Sequence, residues 1–304
     1  MTPAEEMAAR TSRAVLWYGL ALLWALDAAL ALTPNLALDQ IDMVLMGGFG
    51  QPAWYLQFVS NTVYYWVYHA HVAGLLVAVE FSVQAAIALM LALFRGRRLG
   101  RSGLWLSIGW ALLVWVMAEW MGGLWAGMSF WTGAPGSAVL YIFAAVMLLR
   151  PAGGPGHLRR ALGCWWLLGA LLQAAPAWWG GHTLSTAIRA NLVVTPSSWR
   201  TLPIQWLVHQ AASHPAAVNA ALAAAMLAVG ASSLLGRSPW AVAPAGAWAL
   251  LLWWWGENFG GLLGGIATDP NTGPLWLLLA VSAWWPVGKR APRAPASLEK
   301  PMSP

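Results

Sequence analysis

Apolar residues in this chain run in long blocks, not in the alternating or three-to-four spacing of half-buried strands and helices. A helix needs roughly 20 apolar residues to cross about 30 Å of hydrocarbon, and it satisfies every backbone polar group internally. Eight blocks predict such helices, at approximately 14–34, 70–94, 103–127, 137–149, 161–179, 215–235, 240–264 and 274–287. The fourth and eighth hold only about a dozen strongly apolar residues, so tilt or local bilayer thinning has to make up their length. The predicted fold class is all-α: a polytopic membrane protein of eight transmembrane helices.

Composition strengthens this. Hydrophobic residues make up 60% of the 304 and charged residues 9%, against about 25% charged in soluble proteins. A soluble core of this size lacks its charged shell, which excludes soluble-enzyme, coiled-coil and disordered classes. The single cysteine, Cys164, excludes an internal disulfide and any cysteine-rich metal or iron–sulfur site.

The net charge of +6 becomes a topology signal once the bases are placed. With eight spans and the N-terminus inside, fourteen of the sixteen Lys and Arg fall on one side, leaving only Arg189 and Arg200 outside with Asp39, Asp42 and Asp269. That is the positive-inside pattern for a multi-pass cell-membrane protein with cytoplasmic N- and C-termini. Anionic membrane lipids are the expected partner of those bases, and nucleic acid is not needed to explain them. A cleaved secretory signal over Ala14–Leu32 is the competing reading of the N-terminus. Glu5, Glu6 and the length of the apolar stretch argue for a retained span.

An internal similarity stands out. Trp110–Gly127 laid over Trp248–Gly265 without a gap gives ten identities in eighteen positions, among them Trp115/Trp253, Glu119/Glu257, Gly122/Gly260 and Gly123/Gly261. Thr132-Gly133-Ala134-Pro135-Gly136 answers Thr272-Gly273-Pro274 more weakly. These matches predict two parallel four-helix repeats, over 1–150 and 151–304, the second ending in a basic tail. Each repeat carries a long outer segment, about 35–69 and 180–213, rich in Trp and expected to form an interfacial helix or lid.

Candidate chemistry centres on carboxylates inside the apolar blocks. Glu119 and Glu257 each cost a few kcal/mol in lipid and should face the protein interior or a wet cavity. The glycines three and four residues on share their helix face, where helices approach closely. The alternative is that each Glu accepts hydrogen bonds from a Trp indole or backbone amide and only pins its unit. Asp27 and Glu80 are further intramembrane acids, and with Glu119 they can form a proton-accepting cluster. Mid-span Trp110, Trp115, Trp248 and Trp253 can flank a flat quinone, although bulky packing explains them as well. His71 and His214 fall near the outer ends of their spans, where haem ligation competes with plain interfacial hydrogen bonding. No Walker loop, GxSxG elbow, HExxH pair or dinucleotide fingerprint occurs, and no metal site is expected.

The Leu-Leu-Trp-Ala-Leu-Asp27 span, the Gly50-Gln51-Pro52-Ala53-Trp54 segment and the Glu119-x-x-Gly122-Gly123 span resemble the DoxX-like four-helix membrane proteins, here as a tandem duplication. The resemblance implies a quinone-linked membrane redox subunit, akin to thiosulfate:quinone oxidoreductase subunits, with a redox partner protein or membrane complex. In that case quinone sits between the aromatic walls and Glu119 or Glu257 exchanges its protons. The lack of a thiol pair speaks against direct thiol–disulfide chemistry. The other expectations are a solute or ion permease with its path between the repeats, and a non-catalytic assembly subunit.

Overall fold

The computed structural model describes residues 3–33, 44, 47–48, 50–65, 73–123, 125, 127, 129–150, 155–192, 198–236, 238–264 and 267–284. Every regular element among them is helical. The principal helices are α1 (Pro3–Leu30), α2 (Ala53–Tyr64), α3 (Ala73–Leu93), α4 (Arg98–Met117), α5 (Ser137–Leu149), α6 (Pro155–Gln173), α7 (Thr183–Ala190), α8 (Leu202–Ser213), α9 (Pro215–Leu235), α10 (Ala243–Leu251) and α11 (Thr272–Ala283).

Only four helices among the described residues are long and apolar enough to cross a membrane: α1, α3, α4 and α9. The expected architecture of eight transmembrane helices in two four-helix repeats is therefore corrected, and the reasons lie in local structure. The blocks at 137–149 and 274–287 form helices of 13 and 12 residues, α5 and α11. The block at 161–179 belongs to a helix that starts at Pro155, carries Arg159 and Arg160, and stops at Gln173. The block at 240–264 breaks into nine α-helical residues, a π-turn at Leu252–Gly256 and a 3-10 stretch. Block 103–127 likewise loses its helix at Met117.

Helix α1 lies against α3 and α5, α3 against α4, and α4 against α5; α6 lies against α9, and α10 against α9 and α11. Helix α11 also packs on α1, α5 and α6, which makes the bundle continuous through the chain. Small residues allow the close approaches. A Cβ at Gly163 would meet Leu234 at 2.7 Å, and one at Gly230 would meet Leu167 at 2.7 Å, so α6 and α9 pack nearly backbone to backbone.

Hydrogen bonds fix the helix directions. Arg13 donates to the carbonyls of Leu148 and Arg150, Arg95 donates to Arg10 O at 3.4 Å, and Arg159 to Ser238 O at 2.9 Å. The basic residues of α1, α3–α4, α5 and α6 thus gather at one end of the bundle. Helix α4 leaves that end and finishes beside Glu119 at the other, where α5 begins.

Candidate functional site

Two sequence-matched breaks build the site. At the end of α4 the backbone N–H of Glu119 bonds to Val114 O at 3.0 Å, five residues back, and the N–H of Glu257 bonds to Leu252 O at 3.0 Å in the same way. Both turns are widened to the π spacing, a local departure from α geometry common at functional sites. The chain then enters the left-handed region. Trp120, Met121, Gly122 and Gly123 have φ of 51°, 52°, 64° and 77°, and Asn258, Phe259, Gly260 and Gly261 have φ of 48°, 57°, 63° and 74°. The expectation that these glycines line a helix face is corrected: they let the backbone reverse, which glycine does without steric cost.

After each break the chain returns as a strap, which the preceding helix grips. Trp115 Nε1 donates to Pro135 O at 2.8 Å, and Trp253 Nε1 donates to Pro270 O at 2.8 Å. Each Glu then caps the next helix. Glu119 Oε1 accepts the Ser137 hydroxyl at 2.5 Å and the Ala138 N–H at 3.0 Å, at the start of α5. Glu257 accepts the Thr272 hydroxyl and the Gly273 N–H, the latter at 3.0 Å, at the start of α11. A carboxylate at a helix N-terminus satisfies orphan amides and the positive end of the helix dipole, worth about 0.3–2 kcal/mol. By these bonds Thr272 answers Ser137 and Pro270 answers Pro135, a register different from the Thr132/Thr272 pairing suggested by sequence.

The two carboxylates differ in access. Glu257 is 2% exposed. Glu119 instead lines a cavity of about 340 Å³ together with Ser129, Thr132, Gly133, Asp269 and Asn271. At about 30 Å³ per molecule that volume holds on the order of ten waters. Its wall is glycine-rich strap on one side and the Asp269–Asn271 turn on the other. A Cβ at Gly133 would lie 3.5 Å from Glu257 Oε1 and 3.4 Å from Asn271 Oδ1, so one strap passes directly over the other. Asp269 Oδ1 accepts the Asn271 N–H at 2.5 Å, and Asn271 Oδ1 accepts the Thr272 N–H at 2.8 Å.

These acids lie beyond the ends of the four spanning helices. Burial, followed by the negative charge of Asp269, pushes Glu119 from an ordinary 4.5 up to about 7. Burial outweighs the Thr272 and Gly273 hydrogen bonds and pushes Glu257 up to about 8. Asp269 is also raised by burial, against the Asn271 N–H that favours its ionised form. Two acids with no base in the lining repel one another across the cavity, and a cation between them relieves both.

The remaining sequence candidates scatter. Asp27 is buried on α1, where Glu119, Glu80 and Asp269 act on it electrostatically. Glu80 is half-buried on α3 and accepts Gln84 Nε2 at 3.2 Å. Trp110 and Trp248 are half-buried away from the cavity lining, with indole N–H groups that find no hydrogen-bond partner, and Trp248 lies 5.3 Å from Trp131. Trp115 and Trp253 hold the straps. His214 is exposed at the joint of α8 and α9, and His71 lies outside the described residues. No group of three or more His, Cys, Asp or Glu able to hold a metal ion occurs among the described residues.

Asp269, Asn271 and Ser129 escaped the sequence reading. An Asp in an outer loop reads as a solvated charge, although Asp269-Pro270-Asn271 before an apolar run is a turn and helix-start signal. Ser129 carries no motif. Its hydroxyl donates to Gln173 Oε1 at 2.6 Å, and Gln173 in turn donates to Asn219 Oδ1 at 2.6 Å, a buried polar chain that ties the cavity wall to α6 and α9.

Comparison with known proteins gives no match among family models, curated proteins or solved structures. The resemblance to DoxX-like proteins is corrected accordingly: a few apolar spans punctuated by Trp and Gly are too common in membrane proteins to define a family.

Proposed function

We propose that this multi-helix membrane protein is a solute or ion permease that admits a small cation at the cavity between its two straps. The observation that carries this is the lining itself: two acids, an amide and hydroxyls, without a base, at the point where helices are broken. Interrupted helices whose freed backbone faces a water-filled site are how membrane carriers place polar groups within apolar bundles. Glu119 is the gate-keeping ligand, because it lines the cavity while Ser137 and Ala138 at the start of α5 hold its carboxylate. Glu257 is a positioning residue, sealed behind Gly133.

A quinone-linked redox subunit would instead need a flat aromatic slot beside the acids. Of the four indoles that the sequence offers for it, Trp115 and Trp253 are engaged in holding the straps and Trp110 and Trp248 lie away from the cavity lining, so this reading draws less support.

Reconstitution into liposomes with radiolabelled methylammonium as the probe tests the proposal. Uptake is expected with the native chain and with Glu80→Gln, and is expected to be lost in Glu119→Gln and Asp269→Asn. Equal uptake by the native chain, Glu119→Gln and protein-free liposomes would sink it. So would quinone that co-purifies with the native chain and is lost in Glu119→Gln.

A further inference from the structure

The basic end of the bundle carries more than a general surplus of charge. Arg95, just past the end of α3, lies over the ring of Tyr18 on α1, its guanidinium carbon 5.5 Å from the ring centre, and donates to Arg10 O at 3.4 Å. A cation seated on a ring face and tied to a carbonyl is held in one pose, here across the seam between α1 and α3. Arg13, one turn on from Arg10, stands close enough for the charge of Arg95 to act on it, and its own guanidinium donates to Leu148 O and Arg150 O.

What faces these cations decides what they bind. Arg10 is paired with Glu6 at 3.8 Å, whereas Arg13 and Arg95 have no carboxylate partner among the described residues. A guanidinium carries five N–H donors in a planar fork, and the exposed Arg95 commits one nitrogen to Arg10 O, which leaves the rest of the fork for an outside acceptor. From Arg10 to Leu30 α1 rises about 30 Å, the thickness of a hydrocarbon core, so the arginines stand at the headgroup level of one leaflet. Below them on the same helix Tyr18 is 48% exposed and Leu22, one turn further, is 70% exposed. A forked cation above an open apolar surface matches a phospholipid, with phosphate on the fork and an acyl chain along Tyr18 and Leu22. The unpaired charge of Arg13 and Arg95 selects an anionic headgroup over a zwitterionic one, whose ammonium they repel.

We propose that Arg95, Arg13 and Tyr18 form a discrete site for one anionic phospholipid at the seam of α1 and α3, distinct from the diffuse attraction that any basic membrane face exerts. The site owes nothing to the cavity, which lies at the opposite end of the bundle.

Native mass spectrometry of the detergent-solubilised full chain, titrated with phosphatidylglycerol or phosphatidylcholine, provides the test. The native protein is expected to retain one phosphatidylglycerol in preference to phosphatidylcholine, and Arg95→Gln to hold it about tenfold more weakly, equivalent to about 1.4 kcal/mol. Tyr18→Leu, which keeps the apolar surface and removes the ring beneath the guanidinium, should weaken it by a smaller factor. Arg160→Gln is the control and should bind as the native chain does, because Arg160 is an exposed base of the same end that donates within its own helix, to Gly156 O at 3.2 Å. Should Arg95→Gln fail to fold, Arg95→Lys replaces it and must still weaken binding, since an ammonium is a point charge without the planar fork. Equal loss in Arg95→Gln and Arg160→Gln, equal retention of the two lipids, or displacement of the bound lipid by inorganic phosphate overturns the inference.

Discussion

Glu119 and Glu257 cap their helices through matched donors but not in the same way: Glu119 takes both on Oε1, with a longer Ala138 contact to Oε2, whereas Glu257 takes Thr272 on one oxygen and Gly273 on the other. Behind Glu119 there is a cavity; behind Glu257 there is packed strap. Replacing Glu257 by Gln should therefore cost more stability, since an amide offers one acceptor where two donors converge and no water can enter. The loss expected is about 1–3 kcal/mol, the penalty for a buried donor left unpaired. Thermal unfolding in detergent of the two Gln variants checks this ordering. Both folded-state values, about 7 and about 8, lie above the ordinary 4.5, so the folded chain holds protons that the unfolded chain releases between those limits. The resulting stabilisation is complete below 4.5 and is lost as pH rises through 7 and then 8. The native midpoint should fall across that window, and the fall near its upper edge should vanish in Glu257→Gln.

Among elements, the breaks after α4 and at Leu252–Gly256 matter most, and they depend on glycine at few positions. A Cβ at Gly122 would run into the Pro135 carbonyl, at a residue whose φ is already +64°. Gly122→Ala should thus destabilise by at least the 1–2 kcal/mol that a left-handed conformation costs an ordinary residue. Gly109, in the middle of α4 with open space around it, is the control: Gly109→Ala should be neutral or stabilise by about 0.5–1 kcal/mol. Thermal unfolding separates the two. Sequence reading found α9 at its observed limits, and it picked out Glu119 and Glu257 from their register. It carried helix straight through 118–127 and 252–264 because Trp253-Trp254-Trp255 and Leu262-Leu263 keep the apolar run unbroken. Hydropathy registers composition and cannot register a hydrogen bond that slips from four residues to five. The glycines were noticed for their spacing, but their role as a left-handed turn depends on where the strap goes next, a tertiary fact.

For the whole molecule, charge is divided by end. The arginines of α1, α4, α5 and α6 cluster where Arg13 reaches Arg150, while Glu119, Glu257 and Asp269 lie at the opposite end. If the basic end faces the cytoplasm, a membrane-impermeant maleimide applied to intact cells should label His182→Cys and spare Ser102→Cys, both in a Cys164→Ser background. All three positions are exposed on the protein surface. The reverse pattern would invert the orientation. The bundle is closed by a contact between distant parts of the chain: Ser12 on α1 donates to Ser282 O at 2.5 Å, and Gly19 leaves room for Leu278. During synthesis, α1 enters the bilayer long before the ribosome has made α11. Until then a strip of α1 has only lipid to lean on, and a translation product stopped short of residue 272 would display that strip to the proteases that clear unfinished membrane proteins.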